Sequence, residues 1–191
     1  MPRCATFVLL LATGLWGCAP AAGSDDDVGD RSNYPSGPYG ESEGAVIADL
    51  SFATPDGGSI SLADLHADPG VHVALLVTAA GWCTACIEEQ SALQDLFDRY
   101  GAQGLSVLVT LFEDRDFQPA DAALAAAWKE EHALTFDVVA DATFQLGAFY
   151  DSSLTPMNML VDVDTMEILR ITTGWDPDVI EGIIAARLPP S

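Results

Sequence analysis

Hydrophobic and polar positions alternate in distinct ways along the chain. Val71 to Ala79, "VHVALLVTA", runs apolar almost without a break over the length of one strand. That pattern fits a strand covered on both faces. "GLSVLVTLF" repeats it further on, and "FDVVAD" offers another strand. Between the first two, Leu93, Leu96, Phe97 and Tyr100 recur at helical spacing and predict a helix from about Cys83 to Tyr100. An alanine-rich stretch from Ala120 to His132, with Pro119 near its start, predicts a second helix. A short helix is expected near Phe144 to Phe149, and a closing helix over Pro177 to Leu188. "MNMLVDV" and "EILRITTG" read as a hairpin turning at Asp164 and Thr165. "AVIADLSFATPDGGSISLADL" reads as two short strands joined at Asp56, Gly57 and Gly58. Strands alternating with helices imply an α/β layer structure with a parallel part, to which the terminal hairpin adds antiparallel strands.

The first residues follow another pattern. Arg3 precedes an apolar run from Ala5 to Leu15, too short to span a bilayer as a mature helix, and it reads as a secretory signal over residues 1–17. The run ends in "GLWGC", which resembles the lipobox of bacterial lipoproteins, with Leu15 three before the cysteine and Gly17 just before it. Trp16 departs from that motif, and cleavage by ordinary signal peptidase near Ala22 is the alternative. The resemblance makes Cys18 the lipid attachment site, so acyl chains would anchor the protein in a bacterial membrane. Residues 18–44 are rich in Gly, Ser, Pro and Asp and read as a flexible tether, leaving 45–191 as one domain. Asp25 to Asp27 lack the ligand spacing of a calcium loop.

Charge narrows the partners. The 191 residues carry a formal charge of -22, with 7 basic residues against 29 acidic ones. Such a surface repels phosphate backbones, so nucleic acid is not a partner. Of 4 cysteines, Cys4 leaves with the signal and Cys18 is capped, leaving Cys83 and Cys86 in a compartment where disulfides persist.

"GWCTAC" opens the first helix. A cysteine there meets free backbone N–H groups and the positive end of the helix dipole, both of which favour thiolate. Extending the apolar stripe backwards carries it through Glu89 and Cys86. Cys86 should therefore point inward while Cys83 stands at the exposed tip. An accessible attacking thiol with a sheltered resolving partner is what disulfide exchange requires. Glu89 is placed to accept the proton of Cys86, and we expect it partly buried with a raised pKa. A structural zinc would need further ligands, but His66, His72 and His132 are scattered. A purely structural bridge over two residues would close too short a loop to constrain the unfolded chain much.

"GWCTAC" after an apolar strand, with "LTPMNMLVD" downstream, resembles the thioredoxin superfamily. It looks most like the membrane-tethered extracytoplasmic branch called TlpA-like or ResA-like, together with redoxin-domain lipoproteins, over about Ala45 to Leu188. The resemblance implies a thioredoxin-like α/β fold: a mixed central sheet flanked by helices, with an N-terminal β-hairpin extension. It implies a thiol–disulfide oxidoreductase with Cys83, Cys86 and Glu89 catalytic and Trp82, Thr155 and Pro156 lining the substrate groove, Thr155-Pro156 being the family's cis-proline step. No cofactor is implied. The expected partners are a disulfide-bearing protein substrate and a membrane electron-donor protein. Three positions depart from the family: Thr84-Ala85 lacks the usual proline before the second cysteine, Val77 replaces thioredoxin's buried Asp, and Ser91 stands where a helix proline is common. Two other functions remain open. A redoxin-type thiol peroxidase would carry Thr three residues before the attacking cysteine, where this chain has Ala80. A metal-binding or chaperone module on the same fold could be suspected from Met157 and Met159, although alternate methionines on a strand usually pack.

Overall fold

The computed structural model describes residues 31–188. In chain order they form β1 (Ser51–Ala53), β2 (Ser59–Ser61), α1 (Leu62–Ala67), β3 (Val73–Ala80), α2 (Thr84–Tyr100), β4 (Leu105–Glu113), α3 (Ala122–Glu131), β5 (Asp137–Ala140), β6 (Met157–Asp162), β7 (Glu167–Thr173) and α4 (Pro177–Arg187). The strands make one mixed sheet in the order β2-β1-β5-β4-β3-β6-β7. β3 pairs in parallel with β4, and β4 with β5, whereas β6 and β7 run antiparallel. The β1–β2 hairpin extends the sheet beyond β5, completing a thioredoxin-like α/β fold.

Every residue of β3 is buried, and the two faces explain its unbroken apolar pattern. Val73, Leu75, Val77 and Ala79 join Leu93 and Leu96 of α2 and Ile180 and Ile184 of α4 in one core. Ala74 and Leu76 join Leu62 and Leu65 of α1, with Ile47 and Phe52, in the other. A strand covered on both sides has no polar face to show. The hairpin at Asp164 and Thr165 lies between β6 and β7 as the pattern predicts.

The structure departs from the sequence reading in two places. α1 was not expected. The Ser-Ile-Ser alternation of β2 ends at Ser61, which caps α1: its hydroxyl accepts the Asp64 N–H at 3.1 Å, and the Asp64 carboxylate accepts the Ser61 N–H at 2.7 Å. This reciprocal capping box turns the chain from strand to helix within one residue.

The second departure concerns the tether expected over 18–44, because residues 31–44 dock on the domain. The Arg31 guanidinium donates to the carbonyls of Asp68 at 2.8 Å and Val71 at 2.7 Å and pairs with Asp164. The Tyr34 hydroxyl donates to the Ile47 carbonyl at 2.9 Å, with its ring edge-on to His66. The Glu43 carboxylate accepts the Ile171 N–H of β7 at 3.0 Å, and Val46 bridges Glu167. The segment thereby shields an edge strand that would otherwise offer free backbone groups. Hydrogen bonds of this kind need no apolar period, so the composition alone did not reveal them. The secretion signal, Cys18 and residues 18–30 of the tether lie outside the described residues. No helix among the described residues is long and apolar enough to cross a membrane.

Candidate active site

The chain passes from β3 into α2 through Gly81. A Cβ at Gly81 would stand 2.7 Å from the Arg115 backbone nitrogen, so only glycine lets the loop after β4 lie against this turn. Cys83 is the N-cap of α2, and its Sγ accepts the Cys86 N–H at 3.1 Å. The two cysteines are joined in a disulfide with Cα atoms 5.3 Å apart. Cys86 is fully buried, as the stripe through Leu93 and Leu96 predicts, whereas Cys83 differs from expectation: it is only 4% exposed. In the disulfide form the attacking candidate is covered rather than standing free, because the loop before β6 closes over it. The Thr155 carbonyl oxygen lies 3.9 Å from Cys83 Sγ, and the Thr155–Pro156 peptide is cis.

A relay unseen in the sequence reading braces that loop. The Thr78 hydroxyl donates to the Tyr150 hydroxyl at 3.0 Å, which hydrogen-bonds Thr155 Oγ1 at 2.7 Å, and Thr155 Oγ1 donates to the Ser152 carbonyl at 2.9 Å. Thr78 Oγ1 also accepts the Met157 N–H at 2.9 Å. Burial pushes the Tyr150 phenol upward, keeping it a neutral donor. The available signal was Thr78 itself, a hydroxyl inside an otherwise apolar strand that had to find a partner. Gln90 is a second such position: its amide donates to the Cys86 carbonyl at 2.7 Å and accepts from Trp128 Nε1 at 3.1 Å, tying α2 to α3.

Glu89 follows Cys86 by one turn of α2 and is 4% exposed. Its Oε2 accepts one long hydrogen bond, 3.5 Å, from Asn158 Nδ2, and Oε1 has no partner. Burial pushes its pKa up from 4.5 to about 8, against a smaller lowering by Asn158. The buried Asp141 carboxylate, by comparison, is well supplied with donors, accepting from Gln145 N, Leu146 N and Gln145 Nε2. Glu89 is thus a buried acid left short of donors, poised to hold or release a proton near neutrality. An open cavity of about 350 Å³ adjoins it, lined by Ala85, Glu88, Ala92, Pro156 and Trp175. Val77 contributes only a buried methyl pair on β3.

Trp82 is half-exposed beside Cys83; its Nε1 donates to Glu113 at 2.8 Å and its ring stacks on Phe117. The structure therefore gathers Trp82, Cys83, Cys86, Glu89, Thr155 and Pro156 around one disulfide. The histidines lie elsewhere: His66 bonds the Val163 carbonyl through Nδ1 at 2.7 Å, and His132 packs on Trp128. Among the described residues, no group of three His, Cys, Asp or Glu side chains is placed to hold a metal ion.

Solved structures share this architecture. A Chlorobium tepidum protein described as a candidate thiol:disulfide interchange protein DsbE superposes with a TM-score of 0.63 at 21% identity, over 77% of this chain and 98% of that one. A secreted Mycobacterium tuberculosis disulfide oxidoreductase, described as homologous to Escherichia coli DsbE, gives 0.54 at 19% identity, over 72% and 95%. A thiol-disulfide oxidoreductase from Bacteroides fragilis gives 0.59 at 18% identity, over 74% and 98%. At such identities the likeness is one of fold. No curated protein sequence matches the chain. The AhpC/TSA family model matches residues 44–178, from the segment ahead of β1 into α4 and across the whole disulfide site. The chain is a member of the AhpC/TSA family, built on a thioredoxin-like fold.

Proposed function

We propose that this protein is a thiol–disulfide oxidoreductase that reduces protein disulfides outside the cytoplasm, held to a bacterial membrane by lipid on Cys18. The observation that carries the reading is the Cys83–Cys86 disulfide at the mouth of α2, with the Cys86 N–H on Cys83 Sγ and an under-bonded buried carboxyl one turn behind. Similarly folded proteins described as a thiol:disulfide interchange protein and as disulfide oxidoreductases support it.

In the reduced protein the Cys83 thiolate attacks one sulfur of the substrate disulfide. A mixed disulfide forms, the substrate S–S bond breaks, and the first substrate sulfur leaves as a thiolate that takes a proton from water. Cys86 then gives its proton to Glu89, and its thiolate attacks Cys83 Sγ. That step expels the second substrate sulfur as a thiolate, which takes up the proton released by Glu89, and restores the internal disulfide, two electrons having passed to the substrate. Glu89 is suited to this because an acid titrating near 8 accepts a thiol proton and returns it at similar pH. Trp82, Thr155 and Pro156 flank the sulfur under attack, with the Thr155 backbone available to an extended substrate chain. Each turnover leaves the pair oxidised, so a membrane electron-donor protein must reduce it again.

Peroxide reduction loses support at Ala80, the buried end of β3, where a methyl group stands in place of a peroxide-binding hydroxyl. The test is direct. With dithiothreitol as electron source, the protein should reduce insulin disulfides, Cys83→Ser should abolish the reaction, and Cys86→Ser should accumulate a mixed disulfide visible by mass. Rapid consumption of hydrogen peroxide without insulin reduction would overturn the assignment.

A further inference from the structure

Beside the covered disulfide stands an apolar rim that the fold does not need. Phe117 is 64% exposed and holds a left-handed backbone at φ 60°, a conformation bulky residues rarely adopt. Its ring stacks on Trp82 at 5.6 Å and 23°. Leu154 is 53% exposed and immediately precedes Thr155, whose carbonyl oxygen lies 3.9 Å from Cys83 Sγ. The Phe117 loop is firmly built: Asp114 Oδ1 accepts the N–H groups of Asp116 and Gln118, each at 2.8 Å, and the loop backbone lies against Gly81. A firm loop that presents an aromatic ring to water beside a reactive sulfur is placed for a partner rather than for packing.

The charge around the rim says which partner. Asp116 directly precedes Phe117 and Asp114 lies three residues before it, Glu113 holds Trp82, Asp151 lies three residues before Leu154, and Glu88 is exposed on α2. The base within the loop, Arg115, is turned to Glu131 at 3.6 Å. The chain as a whole carries -22. Deepening the thiol–disulfide reading, on which it rests, we propose that the rim of Trp82, Phe117 and Leu154 docks a cationic polypeptide segment. Apolar side chains of that segment cover Phe117 and Leu154, and Lys or Arg beside its cysteine meets the surrounding carboxylates. The same field turns away anionic segments.

The experiment uses three peptide disulfides alike except for Lys, Gln or Glu on either side of the cysteine, each with a neighbouring Leu. At an ionic strength of about 20 mM, kcat/KM for the Lys peptide should exceed that for the Glu peptide by about tenfold or more, shrinking to less than about threefold near 500 mM. Phe117→Ala should raise KM for the Lys peptide several-fold with the Cys83–Cys86 reduction potential unchanged, Phe117→Tyr should restore it, and Asp116→Asn should narrow the Lys-to-Glu ratio. Equal rates for all three peptides at low salt, with the Gln peptide turned over normally, would overturn the docking proposal alone. Failure to reduce any of them would remove the oxidoreductase reading and the proposal with it.

Discussion

Glu89→Gln isolates the buried acid. Below pH 4.5 the carboxyl is protonated in both folded and unfolded chains, and its contribution to stability is level. As pH rises from 4.5 to about 8 the unfolded chain releases this proton while the folded chain keeps it, so stability falls across that window. Each pH unit costs about 1.4 kcal/mol, and the interval from 4.5 to about 8 accumulates a loss on the order of 5 kcal/mol. Water entering the adjoining cavity reduces that figure, and we expect at least about 2 kcal/mol to remain. Above pH 8 both states are ionised and the loss stops growing. Gln stays neutral throughout and nearly matches the protonated carboxyl in shape, so the variant should equal the parent at pH 4.5 and gain on it steadily up to about pH 8. The assay is urea unfolding of the disulfide form at pH 4.5 to 9, where the paired cysteines do not titrate. Taking the difference between the two proteins removes histidines and surface carboxylates common to both. A difference constant within about 0.5 kcal/mol over that range would refute the assignment of Glu89 as a buried acid of raised pKa.

Tyr150→Phe removes the middle of the Thr78–Tyr150–Thr155 relay and strands hydroxyls on both sides; it should cost about 1–2 kcal/mol in urea unfolding and raise KM for peptide disulfides, because the Thr155 carbonyl loses its brace. Leu93→Ala opens a void under α2 at a fully buried position and should lower stability by about 2–5 kcal/mol, measured by the same titration. Reducing the disulfide, which spans a sequence separation of 3, should lower stability by no more than about 2 kcal/mol and leave the far-UV circular dichroism unchanged.

The periodic parts of the fold were legible before the structure. β3 and β4 announced themselves as apolar runs because both faces are covered, and α2 through its Leu93, Leu96, Phe97, Tyr100 stripe. The same stripe, carried back to Glu89 and Cys86, located the inward side of the site. Elements fixed by hydrogen bonds rather than apolar burial stayed hidden. α1 depends on the Ser61–Asp64 box, and residues 31–44 depend on Arg31, Tyr34 and Glu43 reaching partners far along the chain. The covering of Cys83 belongs to this class as well: helix position alone exposes an N-cap residue, and only the long-range approach of Thr155 closes it. Tyr150 could not be assigned to Thr78 across a sequence separation of 72 by any local pattern.

The most direct measurement is the pH dependence of iodoacetamide alkylation in the reduced protein, each cysteine followed by peptide mass. Cys83, with the Cys86 N–H aimed at its sulfur from the first turn of α2, should react first with an apparent pKa below about 7.5, while Cys86 stays protected until the fold is lost. Two thiols alkylated together near the ordinary value of about 8.5 would contradict the account.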